Sequence, residues 1–215
     1  MATRGTRKKT ADKPHYHHGD LRQALVDASL TLIAEEGFGA LTLREVARRA
    51  GVTHAAPYRH FADKEELLVA VAEEGFRAMT ARMKERMARH ASPQEQLVAC
   101  GVAYVLFAVE HPAHFRVMFG PHFTRPLKPA PVGSEENAFG LLVGCLSQAQ
   151  RVGTMRPGDP QELALVCWSL VHGLASLVVD GQLLQTGLAR GAAVETLAET
   201  QTRLLLRGLL LPAGG

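Results

Sequence analysis

Apolar residues recur every three or four positions over most of the chain, the spacing that puts them on one face of an α-helix. The first run contains Leu21, Leu25, Ala28 and Leu32 and stops at Gly37. A longer run follows Asp63 and keeps one apolar face to about Arg89, through Leu68, Ala72, Phe76, Met79, Met83 and Met87. Its Met-rich side fits ordinary core or an adaptable wall around a ligand, and core is the commoner outcome.

Two helix starts carry the signature of a capping box, in which a side chain and backbone N–H groups bond each other reciprocally. Thr42 lies three positions before Glu45, and Asp63 lies three positions before Glu66. The spacing therefore predicts helices that begin at Thr42 and at Asp63.

Another short helix is predicted between these two. Gly51 can close the first helix in the left-handed conformation, and Thr53 can cap a new helix that carries Tyr58 and Phe61. Pro57 fits this helix poorly, because its ring nitrogen cannot donate a hydrogen bond. The stretch 41–68 thus predicts a helix, a tight turn and a helix, followed by a long third helix.

The rest of the chain also predicts helices, two of which start with a cap and a proline, at Ser92-Pro93 and Asp159-Pro160. The predicted elements are a helix from Ser92 to before Pro112, a short piece within 111–121, a Pro- and Gly-rich loop at Thr124–Gly133, and helices at Glu135–Val152, after Asp159 and at about Ala192–Leu211. The helix after Asp159 is apolar almost all round, and the last helix places Val194, Leu197, Leu204 and Leu211 on one stripe. We expect an all-α protein of about nine helices.

Composition and charge divide the chain in two. Of its 215 residues 47% are hydrophobic but only 6% aromatic, so the core must be mostly Leu, Val and Ala, which favours packed helices. Residues 1–64 hold eleven Lys or Arg against seven Asp or Glu, whereas residues 65–215 hold thirteen against fourteen. Because Lys and Arg neutralise phosphates, the positive excess favours nucleic acid as the partner of the first part only.

Metal and cofactor chemistry is not indicated. Three cysteines lie far apart without a CxxC spacing and are expected in the core: Cys100, Cys145 and Cys167. Three histidines near the start have no carboxylate or thiol at ligand spacing: His15, His17 and His18. We therefore expect no metal site and no cofactor.

A membrane anchor is not indicated either. The longest uncharged run, Leu163–Val179, is shorter than the ~20 residues that span a bilayer. The N-terminus carries Lys and Arg without an apolar secretion segment. We expect a cytoplasmic protein.

The run GVTHAAPYRHFADKEELL at residues 51–68 resembles the DNA-binding domain of the TetR family of bacterial one-component repressors. The family pattern is Gly-Val-Ser/Thr, then a Tyr, an aromatic-basic pair and a Lys, and the resemblance covers Tyr16–Leu68. It implies a basic flexible arm at 1–15, a three-helix helix-turn-helix domain at 16–65 and a larger helical domain for ligand sensing and dimerisation at 66–215. The arm can enter the minor groove or stay a solvated tail.

The resemblance also implies which side chains contact DNA. Phosphate contacts, which set register without reading sequence, are expected from Thr42, Thr53, Tyr58, His60 and Lys64. Arg44 is a further candidate for DNA contact, and base edges are expected to meet His54, Ala55, Ala56 and Arg59. Tyr58 can in addition pack the recognition helix onto the first helix, as Phe61 can.

In the larger part we expect an effector cavity lined by Phe107, Phe115, Met118, Phe139, Trp168 and His172. Each of these is equally well explained as plain core, and His172 as a hydrogen-bonded packing residue. Trp168 and His172-Gly173 resemble the W-x-x-x-H-G signature of one C-terminal subtype of the family. The last two helices carry excess apolar surface, and the resemblance implies a homodimer through them.

These features predict a ligand-responsive transcriptional regulator. The family default is a repressor that binds palindromic operator DNA as a dimer and is released by a small apolar effector; an activator of the same fold is the alternative. An enzyme is not expected, because no Ser-His-Asp order, paired carboxylates, phosphate loop or metal cluster is visible. A non-specific architectural DNA binder would need positive charge over residues 65–215, which lack it.

Overall fold

The computed structural model describes residues 18–124, 137–183 and 192–209. Within them the chain forms eight α-helices: α1 (His18–Glu36), α2 (Leu43–Arg49), α3 (Lys64–Met87), α4 (Pro93–Glu110), α5 (Pro112–Phe119), α6 (Ala138–Arg151), α7 (Pro160–Val179) and α8 (Ala192–Leu209). Two short 3₁₀ helices, Phe38–Ala40 and Pro57–Arg59, flank α2. The all-α prediction is confirmed, while the predicted N-terminal arm and most of the loop at 124–133 lie outside the described residues.

Helix starts follow the local signals in the sequence. Thr42 and Asp63 cap α2 and α3, and Ser92 and Asp159 cap α4 and α7, each through a side-chain oxygen that accepts a backbone N–H. Prolines occupy the first position of α4 and α7, where no N–H is needed. The sequence chemistry therefore fixes where these helices begin.

Two helix ends depend on glycine. Gly37 follows α1 with φ 80° and Gly51 follows α2 with φ 70°, a backbone conformation that side chains with a Cβ rarely adopt. Both stops were predicted and are confirmed.

The centre of the molecule is α4. Every residue from Leu97 to Ala108 except Leu106 is buried, because α3, α6, α7 and α8 pack around this helix. The hydrophobic core runs without a break from Leu25 in α1 to Leu209 in α8. The predicted domain boundary at residue 65 falls in the first turn of α3, which continues into the larger part for about six more turns.

The predicted stripe on α8 is partly wrong. Val194 is buried, but Leu204 is 58% exposed, and the buried positions continue through Ala198, Thr202 and Leu206 instead. Those positions recur every four residues and follow the face that packs on α4. Leu211 lies outside the described residues.

The apolar helix α7 is covered on one side only. Leu165, Val166 and Leu177 are exposed, while Val171 and Leu174 are buried. Among the described residues α7 is also the one single helix that is long and apolar enough to cross a bilayer, a test that core helices pass as well. α4 and α5 pass it only as a pair, and they are bent by 106°.

Candidate nucleic-acid interface and effector cavity

Residues 18–65 are called the N-terminal unit below. The first capped helix in this unit, α2, is held in place by ion pairs. Thr42 Oγ1 accepts the N–H of Glu45 at 3.1 Å. The reciprocal half of the predicted capping box does not form here, because the Glu45 carboxylate accepts from the Arg48 guanidinium, which lowers the pKa of Glu45. Arg49 reaches back to Glu35 and Glu36 at the end of α1. α2 is thereby fixed against α1.

The predicted recognition helix is not an α-helix capped by Thr53. The Thr53 carbonyl accepts the N–H of Ala56 at 2.9 Å, and the Ala56 carbonyl accepts that of Arg59 at 3.2 Å. These are turns of the i to i+3 kind, and the segment ends in the 3₁₀ helix Pro57–Arg59. Pro57 is the physical reason: an α-helix would need its N–H to reach the Thr53 carbonyl four residues earlier, and proline has none.

Phe61 and Pro57 pack this segment onto the N-terminal unit. Phe61 is 1% exposed and Pro57 is buried. The Arg22 guanidinium of α1 lies 5.3 Å from the centroid of the Phe61 ring, within the range of a cation–π contact. The Tyr58 side chain, by contrast, is 61% exposed, so its ring contributes little packing.

The ten residues proposed for DNA contact lie on the outside of the N-terminal unit. Ala56 and His60 are half-buried, and the other eight are exposed: Thr42, Arg44, Thr53, His54, Ala55, Tyr58, Arg59 and Lys64. Hydroxyl, imidazole and cationic groups with this exposure can meet phosphates and base edges.

Lys64 stands at the start of α3, where the helix backbone is electropositive. Asp63 Oδ1 accepts the N–H of Glu66 at 2.8 Å. The Glu66 carboxylate accepts the N–H of Ala62 at 2.6 Å, one residue before the capping residue that the box predicted. Lys64 Nζ donates to the carbonyl of Phe38 at 3.2 Å. Its ammonium thus links α3 to the turn between α1 and α2.

A cavity of about 450 Å³ lies in the larger part, between α3, α4, α6, α7 and α8. Its walls are mainly apolar and include Phe76, Met79, Met83, Leu97, Phe119, Leu142, Val171, Leu205, Leu206 and Leu209. Two charged residues, Glu73 and Arg77, line it from exposed positions one turn apart on α3. A volume of this size is typical of small-molecule sites.

The structure brings two of the six predicted cavity residues to this wall, Phe139 and Trp168. The other four are not among its lining residues: Phe107, Phe115, Met118 and His172. Phe107, Phe115 and Met118 are at most 4% exposed and belong to the core around α4 and α5.

Trp168 and His172, one turn apart on α7, both bond the same hydroxyl. Trp168 Nε1 donates to Tyr104 Oη at 3.2 Å, and Tyr104 Oη lies 2.8 Å from His172 Nδ1. Burial lowers the pKa of His172 and raises that of Tyr104, so both are neutral near pH 7. The tyrosine hydroxyl can then donate to Nδ1 while it accepts from the indole. This network gives a physical reason for Trp and His at this spacing.

Tyr104 and Thr202 line the cavity although the sequence prediction left them out of its wall. Tyr104 carried a signal: a lone tyrosine in an apolar helix needs a partner for its hydroxyl, and such partners gather at polar points of a buried site. Thr202 donates to the carbonyl of Ala198 at 2.7 Å. Met79 and Met83 are both core and cavity wall, so the two interpretations of the Met-rich side coincide.

The three cysteines are buried and free, as predicted. Burial raises the pKa of Cys145 to about 12 and that of Cys167 to about 11, so the thiols are neutral. Cys100 and Cys167 line the cavity. Within the part of the chain that the structure describes, no three His, Cys, Asp or Glu side chains are placed to hold a metal ion.

Two family models match the chain. One, described as bacterial regulatory proteins of the tetR family, matches residues 25–71. The other, described as the tetracyclin repressor-like C-terminal domain, matches residues 97–203. The W-x-x-x-H-G subtype stays a prediction.

Similar proteins agree with these models. Over 78 residues, 36% of this chain, the sequence is 37% identical to the HTH-type transcriptional regulator BetI of Rhizobium meliloti (strain 1021) and covers 38% of it. Over 47 residues, 21% of this chain, it is 55% identical to an uncharacterized HTH-type transcriptional regulator of Haemophilus influenzae and covers 23% of it. The chain thus spans well under half the length of these curated relatives.

Among solved structures, a protein of unknown function from Rhodococcus sp. RHA1 is 32% identical, with a TM-score of 0.77 over 93% of this chain and 100% of that one. The geometry of the N-terminal unit, the helices of the larger part and the matched family models lead to one conclusion. The chain belongs to the TetR family of DNA-binding transcriptional regulators, with an N-terminal helix-turn-helix domain and a larger C-terminal helical domain.

Proposed function

We propose that this regulator is a homodimeric repressor that binds a palindromic operator and is released when a small apolar effector enters the cavity. The observation that carries the proposal is the position of α3. This helix starts at Lys64, beside the exposed residues proposed for DNA contact, and contributes Phe76, Met79 and Met83 to the cavity wall. A single helix therefore reaches both proposed sites. Through it, an effector in the cavity could favour one arrangement of the two N-terminal units of the dimer.

On the DNA side, the division of labour follows side-chain chemistry. Thr42, Thr53, Tyr58, His60 and Lys64 would bind phosphates. Arg44 would lie against the backbone, and His54, Ala55, Ala56 and Arg59 would face the bases, with Arg59 able to bond guanine and the alanines able to contact a thymine methyl. The exposure of these side chains supports the assignment.

On the effector side, the polar groups of Trp168, Tyr104 and Thr202 in the cavity wall are already paired, and the charged Glu73 and Arg77 line the cavity from exposed positions. The indole N–H bonds Tyr104, the tyrosine hydroxyl bonds His172, and the Thr202 hydroxyl bonds a carbonyl. A ligand would therefore gain most of its affinity from apolar contact, which favours a compound with an uncharged, apolar body. Phe139 and Trp168 would touch it directly, whereas Phe107, Phe115, Met118 and His172 would support the wall from behind.

The dimer would form through α7 and α8. Leu165, Val166 and Leu177 on α7 and Leu204 on α8 are exposed. Apolar side chains exposed on adjacent helices are typical of an interface.

We also propose a helix-turn-helix domain at 16–65, a sensing and dimerisation domain at 66–215, a cytoplasmic location and no catalytic activity.

The proposal is tested by selecting duplexes from random DNA with the full chain. We expect enrichment of a palindrome whose half-sites lie about one helical turn, ~34–36 Å, apart or somewhat more. A thermal-shift screen of neutral apolar compounds should then find ligands that raise the melting temperature and weaken binding of the selected duplex. Enrichment of no palindrome, or ligands that bind without changing DNA affinity, would contradict the proposal.

A further inference from the structure

A short segment after α5 connects the effector cavity to the N-terminal unit by a route that does not run along α3. α5 ends at Phe119, which lines the cavity. The Phe119 ring lies 6.3 Å from that of Trp168 and 4.7 Å from that of His172, measured between centroids. Whatever moves the cavity wall at Trp168 therefore meets Phe119.

The next residues leave the cavity and reach the N-terminal unit. The His122 ring stacks on the Phe38 ring with centroids 3.7 Å apart and planes inclined by 23°. Thr124 donates from its backbone N–H and its hydroxyl to the Glu65 carboxylate, at 2.9 and 2.7 Å. The Phe38 carbonyl is in turn bonded by Lys64. Residues 120–124 thus contact both the turn before α2 and the first turn of α3.

The segment is packed tightly against the end of α5. The His122 N–H bonds the Gly120 carbonyl at 2.9 Å. A Cβ at Gly120 would collide with the His122 ring and with the carbonyl of Arg116 in α5. The imidazole is therefore packed directly against the end of the helix whose last residue lines the cavity.

We infer that residues 120–124 couple the cavity to the N-terminal unit. The His122–Phe38 stack is the contact that transmits a shift of the cavity wall to that unit. His122 is proposed as a positioning residue, because it is neither among the residues that line the cavity nor among those proposed to contact DNA. Burial and the nearby Lys64 lower the pKa of His122, so the ring is neutral and stacks as an apolar plate near pH 7. The inference rests on the proposed function, and it names the path by which the two sites influence each other.

Coupling is reciprocal, so DNA itself can serve as the probe in place of an effector. Trp168 is the only tryptophan in the chain and lies in the cavity wall. Binding of the selected palindromic duplex at the N-terminal unit should therefore change the fluorescence of Trp168, although the DNA would not contact Trp168. Anisotropy of a labelled duplex reports DNA binding separately and shows when the protein is saturated.

The variants separate this path from α3. At saturating duplex, His122→Ala should lose more than half of the wild-type fluorescence change. His122→Phe keeps an apolar ring on Phe38 and should retain more than half. His90→Ala changes a histidine exposed just beyond the far end of α3; it serves as the matched control and should behave as wild type.

Each other outcome overturns the inference. A wild-type protein that binds the duplex without a fluorescence change has no such coupling. A full change in His122→Ala would assign the coupling to α3 alone, and a loss in His122→Phe would mean that the stack is not what matters. Folded His122→Ala that binds no duplex would place His122 in the contact surface. Failure of wild type to bind any palindrome is the different result that contradicts the proposed function.

Discussion

Two roles compete for the ammonium group of Lys64. It is exposed at the first turn of α3, where a phosphate would be favoured, and it donates to the Phe38 carbonyl within the protein. A loss of DNA affinity on truncation would therefore have two explanations. They differ in one respect, because only the phosphate contact requires a positive charge.

Substitution of Lys64 by alanine and by glutamine distinguishes them. Lys64→Ala should weaken binding to all duplexes about equally and reduce the slope of log affinity against log salt by about one unit. Lys64→Gln should do the same, although its amide can still donate to the Phe38 carbonyl. Wild-type salt dependence in the glutamine variant would assign Lys64 to the internal bond, and a changed sequence preference would assign it to the bases.

His172 should make the fold sensitive to mild acid. Burial lowers its pKa in the folded protein, so the unfolded chain takes up this proton at a higher pH. Between the ordinary value of about 6.5 and the lowered value the unfolded state binds more protons, and the free energy of unfolding falls as the pH falls.

The measurement is urea unfolding at about pH 7.5 and about pH 5.5 for wild type and His172→Gln. Glutamine does not titrate, and its amide oxygen can accept the Tyr104 hydroxyl, so the variant should lose less stability on acidification. His111 and His122 also have a lowered pKa, but both proteins share them. An equal loss in the two proteins would show that His172 is not the responsible group.

Single residues also mark where sequence reasoning succeeds. Thr42, Asp63, Ser92 and Asp159 predicted their helix starts because a cap depends on atoms within three residues. Pro57 was recognised as a misfit, yet the i to i+3 turns that replace the α-helix depend on which carbonyls find donors. The W-x-x-x-H spacing was visible, but its shared partner, Tyr104, lies 64 positions away from Trp168 in the chain.

Among the elements, α4 depends on a close approach to its neighbours. A Cβ on Gly101 would stand 2.9 Å from the Thr202 hydroxyl of α8 and 3.2 Å from a methyl carbon of Val171 in α7. Both helices contact α4 along much of its length, so neither can shift without disturbing the cavity they line. Glycine here is a packing requirement and not a conformational one.

Gly101→Ala should therefore lower the free energy of unfolding by about 1–3 kcal/mol, the usual cost of overpacking a core. Gly144→Ala in α6 is the matched control, because a Cβ there has nothing within 4 Å. That substitution should stabilise by up to about 1 kcal/mol through helix propensity alone. Chemical denaturation of both variants measures the difference, and equal stability of the two would mean that the three helices relax around the new methyl group.

The same contrast between local and distant information holds for whole elements. Helical spacing predicted α1, α3 and α7 and an all-α fold, since periodicity records which face is buried. It did not predict that α4 would be the helix enclosed on most sides, or that Leu204 of α8 would face outward. Those outcomes are decided by which neighbour covers each face.

At the scale of the whole molecule, the described residues of α7 and α8 expose an apolar surface. α7 is long and apolar enough to cross a bilayer, yet Leu165, Val166 and Leu177 on it are exposed in the single chain, as is Leu204 on α8. Burying an exposed Leu or Val side chain contributes about 1.5–3 kcal/mol. If two copies pack this surface against each other, each copy buries the four residues of the other, which favours a two-fold dimer.

The double substitution Leu165→Glu and Leu204→Glu should consequently yield a monomer. Its mass by light scattering should be near 23.2 kDa, and wild type should show twice that value. The variant should keep its helical content, because Leu165 is 53% and Leu204 58% exposed in the monomer, and it should bind a single half-site but lose the added affinity for a palindrome. Val152→Glu changes an equally exposed residue outside these helices, 50% exposed, and should stay dimeric. A dimeric double variant with unchanged operator affinity would move the interface elsewhere, and a monomeric wild type that still selects palindromes would mean that the two copies meet only on DNA.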